Sequence, residues 1–367
     1  MERSKKPSLS RQLKRHVKEP IETIKDSHIN INDLVPMGST LLNLAMSGHT
    51  EGGAKKGTMV NIIGASHGGK SILALTAFAE ANKRPSFDAY NFVYDDIERA
   101  NSFDMDYMFG KTTAKRINPP RPEKEDKISS TVQHFQANIS HLLKKEKPFL
   151  YVLDSFDALD ALEDQKKMEE MCEGLEKGKD TAGTYGMAKA KAASSILRSV
   201  TSQIADSKSV LFIVSQTRDN VDPRSFEKTT RSGGKALKFY ASHEMWLTPV
   251  GSIKKKETIV GSTVKIKISK NKLTGKVREL KFDIYYDYGI DDIGGCIDYL
   301  IDSGRWSGGG AAKINHFEDF DFEGCTKAKM ISYFEDNSLY KRLQKLVEKE
   351  WNKFEDSIRL GRKSKYD

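Results

Sequence analysis

The chain has 367 residues, of which 38% are hydrophobic and 30% are charged, which is enough for one large core and a smaller appendage. Its cysteines Cys172, Cys296 and Cys325 form no C-x-x-C pair, which argues against a disulfide framework or a zinc site and favours a reducing, intracellular compartment. No apolar run approaches the ~18 residues of a membrane span. The net charge of +9 favours an acidic polymer as partner, with a solvated lysine surface as the alternative.

The first predicted element is a basic arm over residues 1–36. It has no apolar segment of the kind that a secretory signal requires. Apolar residues recur in it at near-helical spacing, with Pro20 as a kink, at Leu9, Leu13, Val17, Ile21 and Ile24. We interpret the arm as an oligomerisation helix, with a partner subunit, nucleic acid and a membrane surface as candidate targets.

The next element is a phosphate-binding loop. Residues 57–64 read as a buried strand and residues 72–82 as a helix, and the stretch GASHGGKS between them fits the pattern G-x-x-x-x-G-K-[ST]. We expect the loop amides to hold a nucleotide phosphate, Lys70 to reach the β- and γ-oxygens, and Ser71 to bind Mg2+. The predicted nucleotide-binding residues are Gly64, Ala65, Ser66, His67, Gly68, Gly69, Lys70 and Ser71. For His67 we expect an exposed loop position, with a pH-sensitive contact as the alternative.

Acidic residues follow the next two predicted strands. Residues 91–94 form one strand and are followed by Asp95, Asp96 and Glu98, any of which could position or activate water. Residues 149–153 form another strand, and Asp154 at its end suits a Mg2+ site at the carboxyl edge of a parallel sheet. Between them we expect a surface excursion over residues 103–126 and a helix over residues 132–142, capped by Ser129 or Ser130.

Further along, the pattern changes from alternating strands and helices to a hairpin. An exposed helix is predicted at 160–177, a core-facing helix at 187–204 and a strand at 210–215. This alternation predicts an α/β core over residues 37–292 with a mostly parallel sheet covered by helices. Residues 264–268 and 277–286 predict a β-hairpin extension, and the Lys-rich segment 293–367 a small C-terminal domain.

The stretch RSGGKALKFYAS at residues 231–242 resembles the RecA family of recombinases, in which such a segment closes the second DNA-binding loop. The resemblance continues, in the order of the family, through MGSTLLNLAMSG, the phosphate loop, VYDDIERA, VLDSFDAL, VSQTR and KISKNK. It covers about three quarters of the chain and implies a RecA-type phosphate-loop ATPase core that uses ATP and Mg2+.

The resemblance implies a role for individual residues. DIERA matches the family segment in which the glutamate activates water, which selects Glu98, and Gln216 matches the glutamine that senses the γ-phosphate. Lys270 and Lys272 resemble the paired lysines that reach the ATP of a neighbouring subunit across a filament interface. Residues 217–234 match the second DNA loop, whose basic and aromatic composition suits single strands, with Arg218, Arg224, Phe226, Lys228, Arg231, Gly233 and Gly234 as predicted DNA-binding residues. A first DNA loop is expected near residues 178–187.

The chain also departs from the family pattern. Where the family places an acidic residue and a tyrosine near adenine, the matching count falls on Ser102 and Met105, with Tyr107 nearby. The helix at 160–177 looks inserted, and the C-terminal tail is basic. These departures suggest a phage-encoded or otherwise distant relative.

The resemblance therefore implies an ATPase that forms filaments on single-stranded DNA and pairs it with a homologous duplex in recombination and repair. It also implies a place in the cytoplasm of a bacterial or infected host cell, associated with the nucleoid. The first alternative is a hexameric DNA helicase on the same core fold. The second is a non-catalytic, ATP-switched DNA-binding accessory protein.

Overall fold

A central β-sheet organises the chain in a computed structural model, which describes residues 29–99, 101–121, 123–124, 128–176, 187–219, 229–231, 234–310, 312–316 and 319–362. The strands are β1 Leu34–Val35, β2 Ala54–Lys55, β3 Met59–Gly64, β4 Asn91–Asp96, β5 Ile117–Asn118, β6 Phe149–Asp154, β7 Val210–Asp219, β8 Thr229–Arg231, β9 His243–Lys255, β10 Thr258–Asn271, β11 Arg278–Tyr285, β12 Gly289–Ile290, β13 Ser307–Gly309 and β14 Ala312–Asn315. The helices are α1 Thr40–Ser47, α2 Lys70–Asn82, α3 Met105–Phe109, α4 Lys111–Arg116, α5 Val132–Leu143, α6 Leu162–Glu176, α7 Met187–Asp206, α8 Gly234–Tyr240, α9 Asp292–Asp302, α10 Lys327–Asp336 and α11 Tyr340–Ser357. Of the arm predicted over residues 1–36, residues 1–28 lie outside the described residues, and the rest contains a short 3-10 turn, Ile31–Asp33, and the buried strand β1.

The large sheet is parallel on one side and antiparallel on the other. Its strand order is β12-β11-β10-β9-β3-β7-β6-β4-β5, with β8 paired to β7. The pairs from β9 through β3, β7, β6 and β4 to β5 are parallel, and β9 to β12 continue it antiparallel. The predicted mostly parallel α/β core and its hairpin extension are confirmed.

Helices cover both faces of the sheet because its strands are apolar on both faces. In β7, Phe212 and Val214 join the hydrophobic cluster that includes α1, α2 and α9, whereas Leu211 and Ile213 join the cluster with α5 and α7. Successive residues of a strand point to opposite faces, so a continuous apolar run supplies two cores at once. Each large side chain buried in this way contributes about 1.5–3 kcal/mol.

Strand β9 was missed by the sequence reading. It contains Pro249 and Gly251, which weaken a strand signal because proline donates no ladder hydrogen bond and glycine has no side chain to pack. The structure accommodates them next to an irregularity in the register with β10, where Val264 lies opposite Pro249 and Thr263 opposite Gly251. Such irregularities are a usual place for these two residues in a sheet.

One local prediction was wrong, and another was incomplete. The cap of α5 is Thr131, whose hydroxyl accepts the backbone N–H of His134 at 3.1 Å, because Ser129 is engaged with Asp95 instead. The segment predicted as a surface excursion, residues 103–126, is mostly exposed or half-buried where it is described, but it also contains α3, α4 and the edge strand β5, which were not predicted. It is held to the core by Phe109, which is buried in the hydrophobic cluster that includes α2.

The C-terminal helices pack on the same core. Trp306, Phe334 and Trp351 belong to the hydrophobic cluster that includes α1 and α2. Glu355 of α11 accepts hydrogen bonds from Lys276 at 2.6 Å and from Arg278 at 2.8 Å, which ties the last helix to the start of β11. The boundary predicted near residue 293 stays a prediction. In the part of the chain that the structure describes, no helix is long and apolar enough to cross a membrane.

Candidate nucleotide and DNA site

The phosphate loop connects β3 to α2 at the carboxyl edge of the parallel strands. A Cβ on Gly64 would lie 2.7 Å from the carbonyl oxygen of Leu247, so the neighbouring strand admits only glycine there. Gly69 adopts a left-handed φ of +78° just before α2 begins, which suits a residue without a Cβ. His67 also has a left-handed φ, of +60°, and is exposed together with Ala65 and Ser66. The loop thus presents its backbone to solvent at a helix N-terminus, where anions are favoured.

Lys70 lies folded over this loop. Its ammonium donates to the carbonyl oxygen of Ala65 at 2.6 Å, and the residue is buried. Burial lowers the pKa of Lys70, while the negative charges of Asp154 and Glu98 oppose that shift. The loop therefore holds a buried cation beside two carboxylates, and the ammonium has a replaceable carbonyl partner.

Asp154 ends β6 beside the first turn of α2. It accepts a hydrogen bond from the Tyr94 hydroxyl at 3.0 Å and another from the side chain of Ser71. Burial raises the pKa of Asp154, and these two hydrogen bonds oppose the shift. A serine hydroxyl paired with a carboxylate is a donor set that suits Mg2+.

The three acidic residues near the end of β4 have different environments. Asp95 is fully buried and accepts hydrogen bonds from the backbone and hydroxyl of Ser129 and from the Tyr151 hydroxyl. Asp96 accepts the backbone N–H of Asn101 at 3.1 Å. Asp95 is therefore part of the packing behind the strand, and Asp96 orders the segment that follows it.

Glu98 instead reaches across to two other strand ends. Its Oε1 atom accepts the Ser155 hydroxyl at 2.5 Å and the Gln216 side-chain amide at 3.2 Å. Ser155 follows β6 and Gln216 lies in β7, and these strands are neighbours in the sheet. The structure thus brings together Glu98 and Gln216, which are 118 positions apart in the chain.

A cavity of about 420 Å³ opens beside the phosphate loop. Its lining includes Gly69, Ser71, Phe103, Ile284 and Tyr286. Its aromatic walls suit a nucleobase, whereas Tyr107, which the sequence reading considered, is 72% exposed and does not line it. The sequence did not predict Phe103 and Tyr286, because they come from distant segments of the chain. The one available signal was that Phe103 lies between Ser102 and Met105, where the spacing of the family pattern falls.

The second-loop residues are described only in part. Arg218 is exposed near the end of β7, and β8 pairs with that strand. Arg231 turns inward, where it forms an ion pair with the buried Glu244 and lies over the Trp246 ring. Gly234 begins α8. Outside the described residues lie Arg224, Phe226, Lys228, Gly233 and most of the predicted first DNA loop.

Lys270 and Lys272 lie far from the phosphate loop of their own chain. Lys270 is opposite Glu244 in β9, which is in turn opposite Asn61, three residues before the end of β3. At about 3.3 Å per residue, the backbone of Lys270 therefore lies about 10 Å, measured along the strand direction, from the level of Gly64 at the carboxyl end of β3. Its ammonium donates to the carbonyl oxygens of Lys238 at 2.5 Å and Phe239 at 3.0 Å, near the end of α8.

Comparison with known proteins gives the family. A family model described as the RecA N-terminal domain matches residues 156–291. The chain is 30% identical over 298 residues to Protein RecA of Chlorobaculum tepidum, an alignment that covers 79% of this chain and 78% of that protein. The chain belongs to the RecA family. Protein RecA of Acidiphilium cryptum is 31% identical over 278 residues, covering 74% of this chain and 71% of that protein, and Protein RecA of Geobacter metallireducens is 27% identical over 289 residues, covering 77% of each.

Membership in the RecA family confirms the resemblance noted in the sequence and places the chain in the general class of RecA-family recombinases. The roles of the individual site residues stay predictions.

Proposed function

We propose that this chain is a DNA-dependent ATPase that forms helical filaments on single-stranded DNA and catalyses homologous pairing and strand exchange. The observation that carries the proposal is the hydrogen bond between Gln216 and Glu98. It joins the candidate water-activating carboxylate to the strand that continues directly into the second DNA loop. A change at the nucleotide therefore has a short covalent and hydrogen-bonded route to the residues that contact DNA.

The residues present fit ATP with Mg2+. A buried lysine, a left-handed glycine before a helix and a serine hydroxyl paired with Asp154 form a suitable donor set for a phosphate and a divalent cation. Bound Mg·ATP supplies the phosphoryl group and a local positive charge. In this proposal Lys70 exchanges the Ala65 carbonyl for a phosphate oxygen, Glu98 takes the proton of the attacking water, and Gln216 responds to the γ-phosphate.

The position of the paired lysines supports a site shared between subunits. Lys270 and Lys272 lie toward the edge of the sheet opposite the phosphate loop, so they serve the nucleotide of another copy more readily than their own. In a head-to-tail arrangement the carboxyl edge of one copy meets the lysine edge of the next, and such an interface propagates as a filament unless its rotation closes a ring. There Lys270 would exchange two carbonyl partners for phosphate oxygens.

The test measures ATP hydrolysis with and without single-stranded DNA, together with electron microscopy of the complex formed with a non-hydrolysable ATP analogue. We expect stimulation of hydrolysis by DNA and helical filaments. A strand-exchange assay with a homologous and a non-homologous duplex then separates recombination from DNA binding alone.

The alternatives predict different outcomes. Closed rings that unwind duplex DNA would favour the helicase. ATP-dependent DNA binding without hydrolysis would favour the accessory protein. Hydrolysis that DNA does not change, with no filaments, would contradict all three.

A further inference from the structure

Asp157 occupies a junction between the nucleotide site and the second DNA loop. It lies in the short turn Phe156–Ala158, immediately after Asp154 and Ser155. These two neighbours already contact Ser71 and Glu98. The Asp157 side chain is 10% exposed, so a carboxylate is held almost out of water, where an uncompensated charge is costly.

The compensation comes from the strand that enters the loop. One carboxylate oxygen, Oδ2, accepts the backbone N–H of Gln216 at 2.6 Å. The other, Oδ1, lies 3.8 Å from a guanidinium nitrogen of Arg218 and has no hydrogen-bond partner among the described residues. The first contact is short and strong, whereas the second is a loose ion pair.

Gln216 and Arg218 are two positions apart in β7 and so point to the same side of the strand. One carboxylate therefore fixes the backbone of the residue that reaches Glu98 and also retains the first basic side chain of the loop. Arg218 has a side chain that is 68% exposed, so a DNA phosphate can approach it from solvent. A phosphate offers a bidentate partner that Asp157 at 3.8 Å does not.

A second cation remains when Arg218 leaves. The Lys189 ammonium donates to the backbone carbonyl oxygen of Asp157 at 2.9 Å. Lys189 is near the start of α7, directly after the segment predicted as the first DNA loop. The turn at Asp157 is thus contacted from two sides. Gln216 and Arg218 contact it from the end of β7, where the predicted second DNA loop begins, and Lys189 contacts it from α7, which follows the predicted first DNA loop.

Resting on the function proposed above, we propose that Asp157 is a positioning residue that holds Gln216 toward Glu98 and retains Arg218 until a phosphate of single-stranded DNA takes that guanidinium. Asp157 touches neither substrate nor reacting atoms. Its carboxylate competes with DNA phosphates for Arg218. It also keeps Gln216 in place at the end of β7 while Arg218 exchanges Asp157 for a phosphate.

The experiment uses the full chain with Asp157→Asn, Asp157→Ala and the control Asp160→Asn, which removes an exposed carboxylate three positions away. ATP hydrolysis is measured against the concentration of an unstructured oligodeoxythymidine, and thermal unfolding confirms that each variant is folded. Asparagine keeps an oxygen for the Gln216 N–H but removes the charge that retains Arg218. We expect Asp157→Asn to lower the half-saturating DNA concentration about 2- to 5-fold, as for loss of a partly exposed ion pair, and to change kcat less than Asp157→Ala does.

Asp157→Ala also removes the acceptor of the Gln216 N–H, so we expect it to lower the DNA-stimulated kcat severalfold. In an Arg218→Gln background, Asp157→Asn should no longer change the half-saturating DNA concentration. The inference is overturned if both Asp157 variants behave like Asp160→Asn, or if the shift persists in full without Arg218. A wild-type chain whose hydrolysis DNA does not stimulate would instead overturn the proposed function, and the inference with it.

Discussion

Replacing Glu98 by glutamine separates its proposed role as a base from its observed role as a hydrogen-bond acceptor. The Oε1 atom of Glu98 accepts from Ser155 at 2.5 Å and from Gln216 at 3.2 Å. A glutamine side-chain oxygen in the same place can accept both hydrogen bonds, because each partner can act as a donor. The substitution therefore keeps the contact between the nucleotide site and β7 while it removes the proton acceptor.

The expected magnitudes differ for the two roles. Loss of a positioned general base lowers the chemical rate by about 10²- to 10⁴-fold, which corresponds to about 3–5 kcal/mol in the activation free energy. Each of the two hydrogen bonds is worth about 1 kcal/mol and is retained. We therefore expect kcat for ATP hydrolysis to fall by at least about 100-fold, whereas ATP-dependent DNA affinity changes by less than about 5-fold.

Steady-state hydrolysis and fluorescence anisotropy of a labelled single strand, with and without ATP, measure these quantities. Ser155→Ala is the matched variant, since it removes a donor to Glu98 but leaves the base in place, and it should lose less activity than Glu98→Gln. Tight DNA binding by Glu98→Gln without ATP would refute the proposed switch. A kcat within about threefold of the wild type would refute the assignment of the base, since even weak general-base catalysis exceeds that factor.

Three further predictions concern other residues. Lys270→Met should hydrolyse ATP slowly alone and regain part of the wild-type rate when mixed with Lys70→Ala, because each variant supplies the intact half of a shared site; turnover of mixtures measures this. Burial, and next the charges of Lys270 and Lys272, lower the pKa of His243 from 6.5 to about 4. Between pH 6.5 and 4 the unfolded chain therefore binds more protons at His243 than the folded chain does, so the free energy of unfolding should fall by up to about 3 kcal/mol over this range. Urea unfolding at several pH values tests this, and His243→Asn should reduce the dependence of the free energy of unfolding on pH. Tyr286→Ala should raise KM for ATP about 5-fold or more through lost base stacking, and Tyr286→Phe should not.

Each of these predictions has a contrary result. Mixtures that turn over no faster than the sum of their components would contradict a shared site. An unchanged pH slope in His243→Asn would assign the acid sensitivity to other groups. Equal KM values for Tyr286→Ala and Tyr286→Phe would place the base outside the cavity beside the phosphate loop.

The choice among the acidic residues after β4 shows where local sequence stops being sufficient. Asp95, Asp96 and Glu98 are within four positions, and spacing alone does not separate them. The fold separates them because β4 lies beside β6, which carries Tyr151 at its centre and Ser155 just beyond its end. The hydroxyls of Tyr151 and Ser129 donate hydrogen bonds to Asp95 in the core, whereas the Ser155 hydroxyl donates to Glu98 on the side toward β7.

By itself, the sequence determined the features that depend on short stretches of chain. The phosphate loop, the two-sided apolar strands and the core-facing helix predicted at residues 187–204 follow from periodicity and from the strand, loop and helix that adjoin the motif. The order of the motifs also gave the family. These signals are local, so no knowledge of strand order is needed to read them.

Only the tertiary structure decided which distant groups meet. The order β3-β7-β6-β4 places Gln216, Ser155 and Glu98 within hydrogen-bonding reach, and it puts Asp157 against the start of the second loop. The same sheet sets the paired lysines away from the phosphate loop of their own chain and Tyr286 beside it. The order of the strands depends on how much apolar surface the whole sheet buries on its two faces. No single segment of the chain determines that amount.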